Sequence, residues 1–198
     1  MNQKVSSRGL PAVAVTVACC VLGNGYQALA QKKFLIFGDK DVKYKTFRDA
    51  SARFELEYPT KDWNSLPTGG SAVAILSRND RTATVVIDLA HLTEPLAPAE
   101  IATNAQIEVD TLREQQPTAK DFKSEILDSK AGRASLIRYA RMGPNGPERV
   151  IHYSVAVAND LYRLDAVVQE INLAKLEPII MHMILSFKVP ANPASSKN

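Results

Sequence analysis

The chain has 198 residues, of which 45% are hydrophobic, and its formal net charge at pH 7 is +3. This length suits one domain with short extensions, and it can bury a core that needs no disulfide or metal to be stable. Nucleic-acid binding usually requires a clustered basic surface, and the near balance of 24 basic and 21 acidic residues argues against that class.

The first thirty residues have the order of a secretory signal peptide. Lys4 and Arg8 form a basic start, an apolar run covers residues 10–22, and Ala28 and Ala30 give an A-x-A cleavage site. The run is shorter than the about 20 apolar residues that a membrane-spanning helix needs. We therefore expect cleavage after Ala30 and a periplasmic or secreted mature chain without a transmembrane segment.

The two cysteines, Cys19 and Cys20, lie inside that apolar run. Cleavage after Ala30 would remove both, so the mature domain would have no disulfide and no cysteine metal site. The alternative is a lipoprotein acylated at Cys19, although Thr16 is a poor match to the aliphatic residue usual at that position. Removing 30 of the 198 residues would leave 168, with 22 basic and 21 acidic side chains, because the signal carries only Lys4 and Arg8.

The rest of the chain divides into three parts. Residues 31–45 are polar and charged after a short apolar FLIF, and they are interpreted as a lead-in segment or an edge strand. Residues 46–189 hold the periodic patterns of one domain. Residues 190–198 are small, polar and proline-bearing, which predicts a disordered tail.

Strand patterns dominate the first half of the domain. Phe54, Leu56 and Tyr58 alternate with charged residues, and Pro59 ends this half-buried strand. Trp63, the one tryptophan, is interpreted as an aromatic plug packed at the following turn rather than as a ligand-stacking residue. Two further strands, SAVAILS and TATVVIDLAHL, flank the turn RNDR.

Two helices are predicted from apolar spacing. The first starts at Pro98, ends near Gln116 and has one apolar face, which consists of Ile101, Ala105, Val109 and Leu112. The second has Asn172 as its N-cap, and Pro178 should kink or restart it. Its apolar stripe consists of Leu173, Leu176, Ile180, Met183 and Ile184.

A hairpin is predicted between RVIHYSVAVA and LYRLDAVV across a two-residue turn at Asn159 and Asp160. One face then pairs only apolar residues: Val157 with Tyr162, Val155 with Leu164, Tyr153 with Ala166, and Ile151 with Val168. A preceding strand, RASLIRYAR, is expected to place Ile137 and Tyr139 in the core. The order strands, helix, antiparallel strands, helix predicts the α+β class, with an antiparallel sheet packed by helices.

Motifs for chemistry are scarce. His91, His152 and His182 lack the spacing of a zinc protease, and neither a nucleophile elbow nor a phosphate loop is present. Asp39 and Asp41 are two apart, as in a calcium loop, but the glycine and glutamate that such a loop needs are missing. We therefore expect no enzymatic activity and no cofactor.

One constellation is a candidate site. Arg138, His152, Ser154, Arg163 and Asp165 are predicted to share one face of the sheet. Such a face is most simply a solvated surface, or one covered by the lead-in segment. The alternative is an anion- or partner-docking patch at Arg138, His152, Arg163 and Asp165, because arginine pairs well with carboxylates.

Several short motifs resemble PsbP-like domains, the family of the extrinsic PsbP protein of photosystem II. The stretch FELEYPTKDW is similar to the family's opening strand, and NDLYRLDAV and IIMHMILSFKV are similar to its closing strand and helix. The intervening RYAR and ERVIHYSVAVAN match its long hairpin, so the resemblance covers about residues 46–188.

The resemblance implies an antiparallel sheet sandwiched between helices and a non-enzymatic role. It implies an interaction or assembly module in the cell envelope, whose partner is an unidentified envelope or membrane-associated protein. Two alternatives stay open: an accessory protein of photosystem II in a thylakoid lumen, and a small-ligand or anion-binding protein. Calcium is implied by the resemblance only, and no ligand set transfers to this chain.

Overall fold

The computed structural model describes residues 41–190, which form nine strands and two α-helices. The strands are β1 (Tyr44–Arg48), β2 (Glu55–Pro59), β3 (Trp63–Leu66), β4 (Ala72–Arg78), β5 (Ala83–His91), β6 (Lys120–Ser129), β7 (Gly132–Gly143), β8 (Gly146–Val157) and β9 (Asp160–Gln169). The helices are α1 (Ile101–Gln115) and α2 (Leu173–Ser186), and a short 3₁₀ turn (Glu170–Asn172) precedes α2.

Seven strands form one antiparallel sheet in the order β3-β4-β5-β9-β8-β7-β6, and β1 pairs with β2 in a small second sheet. Helix α2 and strand β2 pack on one face of the large sheet, and α1 packs on β7 and β6 at the other. We call these the α2 face and the α1 face. The predicted α+β class, with an antiparallel sheet between helices, is confirmed.

The alternation predicted around β2 is confirmed, since Phe54, Leu56 and Tyr58 are buried. Trp63 is buried too, with 2% of its surface exposed, so its interpretation as a structural plug agrees with its burial. Its predicted place at a turn was wrong. Trp63 is the first residue of β3 and pairs with Arg78 of β4, because the chain turns back into the sheet immediately after Asp62.

The β8–β9 hairpin exists, but its register differs from the prediction by two residues. The turn consists of Ala158 and Asn159, and Ala158 takes the left-handed backbone conformation with φ 52°. Tyr153 therefore pairs with Leu164 rather than Ala166. Side chains alternate with a period of two, so the shift leaves each side chain on its predicted face and changes only its partner.

Helix α1 begins at Ile101 rather than Pro98, because residues 98–100 form a turn. Its predicted apolar face is confirmed by the burial of Ile101, Ala105 and Val109. Helix α2 continues through Pro178 without a restart, since its buried stripe is anchored on both sides of the proline. Asn172 precedes α2 as predicted, but its side chain makes no capping hydrogen bond.

The main core lies between the sheet and α2, and its centre is aromatic. Phe187, directly after α2, has its ring centroid 5.5 Å from that of Phe54 and 5.4 Å from that of Tyr162. A smaller apolar cluster under α1 consists of Val109, Ile137, Tyr139 and Val150. A helix therefore packs on each face of the sheet, and the two helices cover different strands.

No helix within residues 41–190 is long and apolar enough to cross a membrane. The predicted signal peptide with Cys19, the lead-in up to residue 40 and the tail from residue 191 lie outside the described residues. Asp39, the first of the two aspartates that lie two residues apart, also lies outside them.

Candidate functional site

The register of β8 and β9 brings most of the predicted constellation together. Ser154 pairs with Arg163, and His152 pairs with Asp165. Directly paired residues lie on the same face of a sheet, and these four lie on the α1 face. The sequence predicted that these four residues share a face. It did not predict which of them pair across the strands, because the predicted register differs from the observed one by two residues.

Arg138 does not belong to this group. It pairs with Ile151, which belongs to the core on the α2 face, so Arg138 lies on the opposite side of the sheet from His152. Its Nη1 donates to the Glu125 carboxylate, and its Nε lies 3.5 Å from Oε1 of Glu177 on α2. Arg138 therefore ties β7 to β6 and α2.

The predicted faces of β7 were reversed because this strand gives no amphipathic signal. Its residues 134–137 are all buried, since Ala134 and Leu136 belong to the main core and Ser135 and Ile137 contact residues of α1. Ile137 and Tyr139, expected in the main core, instead form the apolar cluster under α1.

Glu108 of α1 completes the polar cluster, and the prediction of site residues missed it. Ser135 donates a hydrogen bond from Oγ to Glu108 Oε2 over 3.0 Å. The same Oε2 lies 3.8 Å from His152 Nε2, and Oε1 lies 3.7 Å from Arg163 Nε. The spacing contained a signal for this, because Glu108 lies three residues after Ala105 and therefore on the buried stripe of the helix.

His152 lies at the centre of the polar cluster. Its Nδ1 lies 2.7 Å from Asp165 Oδ1, and 6% of its side chain is exposed. Burial lowers the pKa of the imidazole, but the interactions with Asp165 and Glu108 outweigh burial and raise this pKa to about 9. At neutral pH, His152 is therefore an imidazolium held between two carboxylates.

Glu108 shows the opposite balance of the same effects. Burial raises the pKa of its carboxyl, but His152 and the neighbouring serine hydroxyls lower it further than burial raises it. The cluster thus pairs two cations, His152 and Arg163, with two anions, Glu108 and Asp165. Its chemistry is that of an ion-pair network that anchors α1 to the sheet.

The other histidines lie apart from this cluster. The His182 ring stacks on Tyr44 with centroids 3.8 Å apart, and its Nε2 lies 2.8 Å from Glu57 Oε2. His91 Nδ1 lies 3.2 Å from Asp160 Oδ1. Within residues 41–190, no three His, Cys, Asp or Glu side chains are arranged to hold a metal ion.

The polar cluster borders a part of the sheet that α1 does not reach. A row of directly paired residues runs from Leu66 through Ile75 and Val86 to Asp165 and on to His152. We use the name open face for the part of the α1 face that α1 does not cover. It consists of Leu66, Ile75, Val86, Asp88, Arg163 and Asp165.

The apolar residues of the open face lie outside the core. Leu66 is 45% exposed, and Ile75 and Val86 are half-buried. Ile75 and Val86 belong to neither of the two apolar clusters in the described part of the chain. The open face is therefore an apolar row with charged residues along one edge.

No protein-family model and no curated protein sequence matches the chain. Several solved structures are similar to it in fold. The cyanobacterial PsbP protein CyanoP of Synechocystis sp. PCC 6803 matches with a TM-score of 0.59 and 13% identity, over 77% of this chain and 96% of that one. LpqN of Mycobacterium tuberculosis, described as involved in cell envelope biogenesis, matches with a TM-score of 0.55 and 15% identity, over 77% and 94%.

The Ran-binding protein Mog1p of Saccharomyces cerevisiae matches with a TM-score of 0.53 and 10% identity, over 75% of this chain and 96% of that one. Each of these proteins is matched over nearly its whole length. At such identities the similarity concerns the fold alone. The resemblance predicted from the sequence motifs is confirmed at that level.

Proposed function

We propose that this chain, which has the PsbP-like fold, is an exported, non-enzymatic protein-interaction or assembly module of the cell envelope. The observation that carries the proposal is the open face. Leu66, Ile75 and Val86 are aligned by strand pairing and lie outside both apolar clusters. A partly exposed apolar row with a polar rim supports a protein-interaction site at this face.

The non-enzymatic part of the proposal is supported by the state of the polar cluster. A general acid or base must reach the proton that it transfers. His152 and Glu108 are instead buried between α1 and the sheet and paired with each other and with Asp165 and Arg163. We accordingly propose a role without a cofactor, in which the cluster orients the helix beside the open face.

The proposed export rests on the amino-acid pattern of residues 1–30. The structural neighbours fit an interaction role in different settings, since Mog1p is described as Ran-binding and LpqN as involved in cell envelope biogenesis. The similarity to CyanoP keeps the role in photosystem II as an alternative.

Affinity capture of the full chain from the envelope of its own host, under gentle conditions, tests this proposal. We expect one or a few envelope proteins to be enriched, and reciprocal capture to recover this chain. The control is an unfolded variant carrying a substitution at Trp63. Enrichment of photosystem II subunits would establish the alternative role, and no enrichment over the unfolded control would contradict both.

A further inference from the structure

The uncovered strip of the α1 face has the width of one helix. Three inter-strand spacings separate β9 from β3, which is about 14 Å. An α-helix with its side chains is about 10–12 Å across. Helix α1 already occupies the neighbouring strip, over β7 and β6. The sheet is thus wide enough for two parallel helices on this face, and the chain supplies one of them in its described part.

The area of the strip argues against a second copy of this chain as the occupant. The rows from Thr84 to Asp88 extend about 14 Å along the strands, so the strip covers about 200 Å². A stable protein–protein interface buries about 800 Å² on each partner. The strip is too small for a dimer of sheets, but it suits the apolar stripe of one helix.

The charges along the strip indicate which helix fits. Asp88 and Asp165 lie on the open face beside the apolar row, and 35% of the Asp165 side chain is exposed. Asp165 is already paired with His152, whose Nδ1 lies 2.7 Å from Asp165 Oδ1, and Arg163 Nε lies 3.7 Å from Glu108 Oε1. Asp88 accepts a hydrogen bond from Ser71 Oγ but forms no ion pair within residues 41–190, so a cationic group on a partner would complement it.

We propose that the open face binds a single basic amphipathic helix of the partner protein, lying beside α1. Its apolar stripe packs on Leu66, Ile75 and Val86, and a lysine or arginine residue on its flank pairs with Asp88. This inference rests on the proposed function and names the chemistry of the partner. It is a helix-in-groove mode of recognition, in which apolar positions recur at i, i+3, i+4 and i+7.

A designed peptide tests the docking directly. The probe is a synthetic amphipathic peptide of about 18 residues, with leucines on one stripe and lysines on its flanks. Its control carries glutamates in place of the lysines. Titration into the ¹⁵N-labelled protein should shift the amide signals of β3, β4, β5 and β9, and the lysine peptide should bind more tightly at low salt, because salt screens its charges.

Two variants localise the binding. L66K and V86K each place a cation in the apolar row and should weaken binding at least about tenfold. M142K is the matched control, because Met142 is 68% exposed at the end of β7, away from the open face, and should bind like the wild type. Leu66 is 45% exposed, so L66K should fold like the wild type. L66K therefore tests the docking even if V86K fails to fold.

Three results would each overturn the inference: no binding of the lysine peptide, equal binding of the glutamate peptide, or equal binding by L66K. The affinity capture described above does not depend on which surface is used. Capture of an envelope partner together with a failed peptide titration would therefore remove helix docking and leave the proposed function standing. Failure of the capture would remove the proposed function itself.

Discussion

His152 is a buried, positively charged side chain that is stabilised by two carboxylates beneath helix α1. A buried imidazolium is costly unless it is paired, and here Asp165 lies 2.7 Å from Nδ1 while Glu108 lies 3.8 Å from Nε2. Removing the cation would leave two carboxylates facing each other in a partly buried site. The residue is therefore important for stability, even though it is not placed to react with a substrate.

Substituting His152→Gln should lower the free energy of unfolding by about 2 kcal/mol or more, because the buried Glu108 carboxylate loses one of its two neighbouring cations. Urea unfolding followed by circular dichroism measures this change. His91→Gln is the control, since the His91 side chain is 77% exposed and its contact with Asp160 should contribute less than about 0.5 kcal/mol. Equal effects of the two substitutions would contradict the role of the cluster.

The pH dependence of stability should follow the same residue. The pKa of His152 rises from 6.5 to about 9 on folding. Between about pH 6.5 and about pH 9, the folded protein therefore keeps a proton on His152 that the unfolded chain releases. Its contribution is fully present below about pH 6.5 and is lost as the pH rises towards about 9. The wild type should lose stability over this range, whereas His152→Gln should change much less.

An NMR titration of the His152 ring gives a second measure of this prediction. Its midpoint is expected near pH 9 in the folded protein. A midpoint near the ordinary histidine value of about 6.5 would show that the imidazole is not held between two carboxylates.

At the scale of single elements, the β8–β9 turn offers a test of the register. Ala158 has φ 52°, a conformation that disfavours any residue with a Cβ atom. Ala158→Gly should therefore raise the free energy of unfolding by about 0.5–1 kcal/mol. Asp160→Gly, at the first residue of β9, should lower it instead, because glycine weakens a strand. Thermal unfolding of both variants distinguishes this turn from one at Asn159 and Asp160.

Strand β3 has one buried side chain besides its backbone pairing with β4. Trp63 is 2% exposed, whereas Leu66 in the same strand is 45% exposed. Trp63→Ala should cost about 3–5 kcal/mol of stability, and Leu66→Ala less than about 1 kcal/mol. Chemical unfolding monitored by circular dichroism measures both. Similar costs for the two variants would mean that Leu66 is covered in solution.

At the scale of the whole molecule, local patterns predicted the layers and failed where tertiary contacts decide. Alternation around Phe54 and helix periodicity around Val109 depend on one buried face each, so they could be recognised in the sequence. Strand β7 is packed on both faces, which hid the side on which Arg138 lies. Glu108 was not predicted as a site residue because its partners lie on strands that are distant in the sequence.

The order of the sheet also lay beyond the sequence. Strand β5 pairs with β9, which comes much later in the chain, and this pairing places Val86 opposite Asp165. The open face is a consequence of that pairing, since its apolar row and its charged edge come from separate parts of the chain. No local pattern joins Leu66, Ile75 and Val86 to the polar cluster.

Site-specific photocrosslinking in the native host shows whether the chain acts by binding a partner through the open face. A photoreactive amino acid is placed at Leu66 in one variant and at Met142, which is 68% exposed, in the other. We predict a crosslink to one envelope protein from position 66, through a basic helical segment, and little or none from position 142. Crosslinking from position 142 alone, or from neither position, would contradict the account.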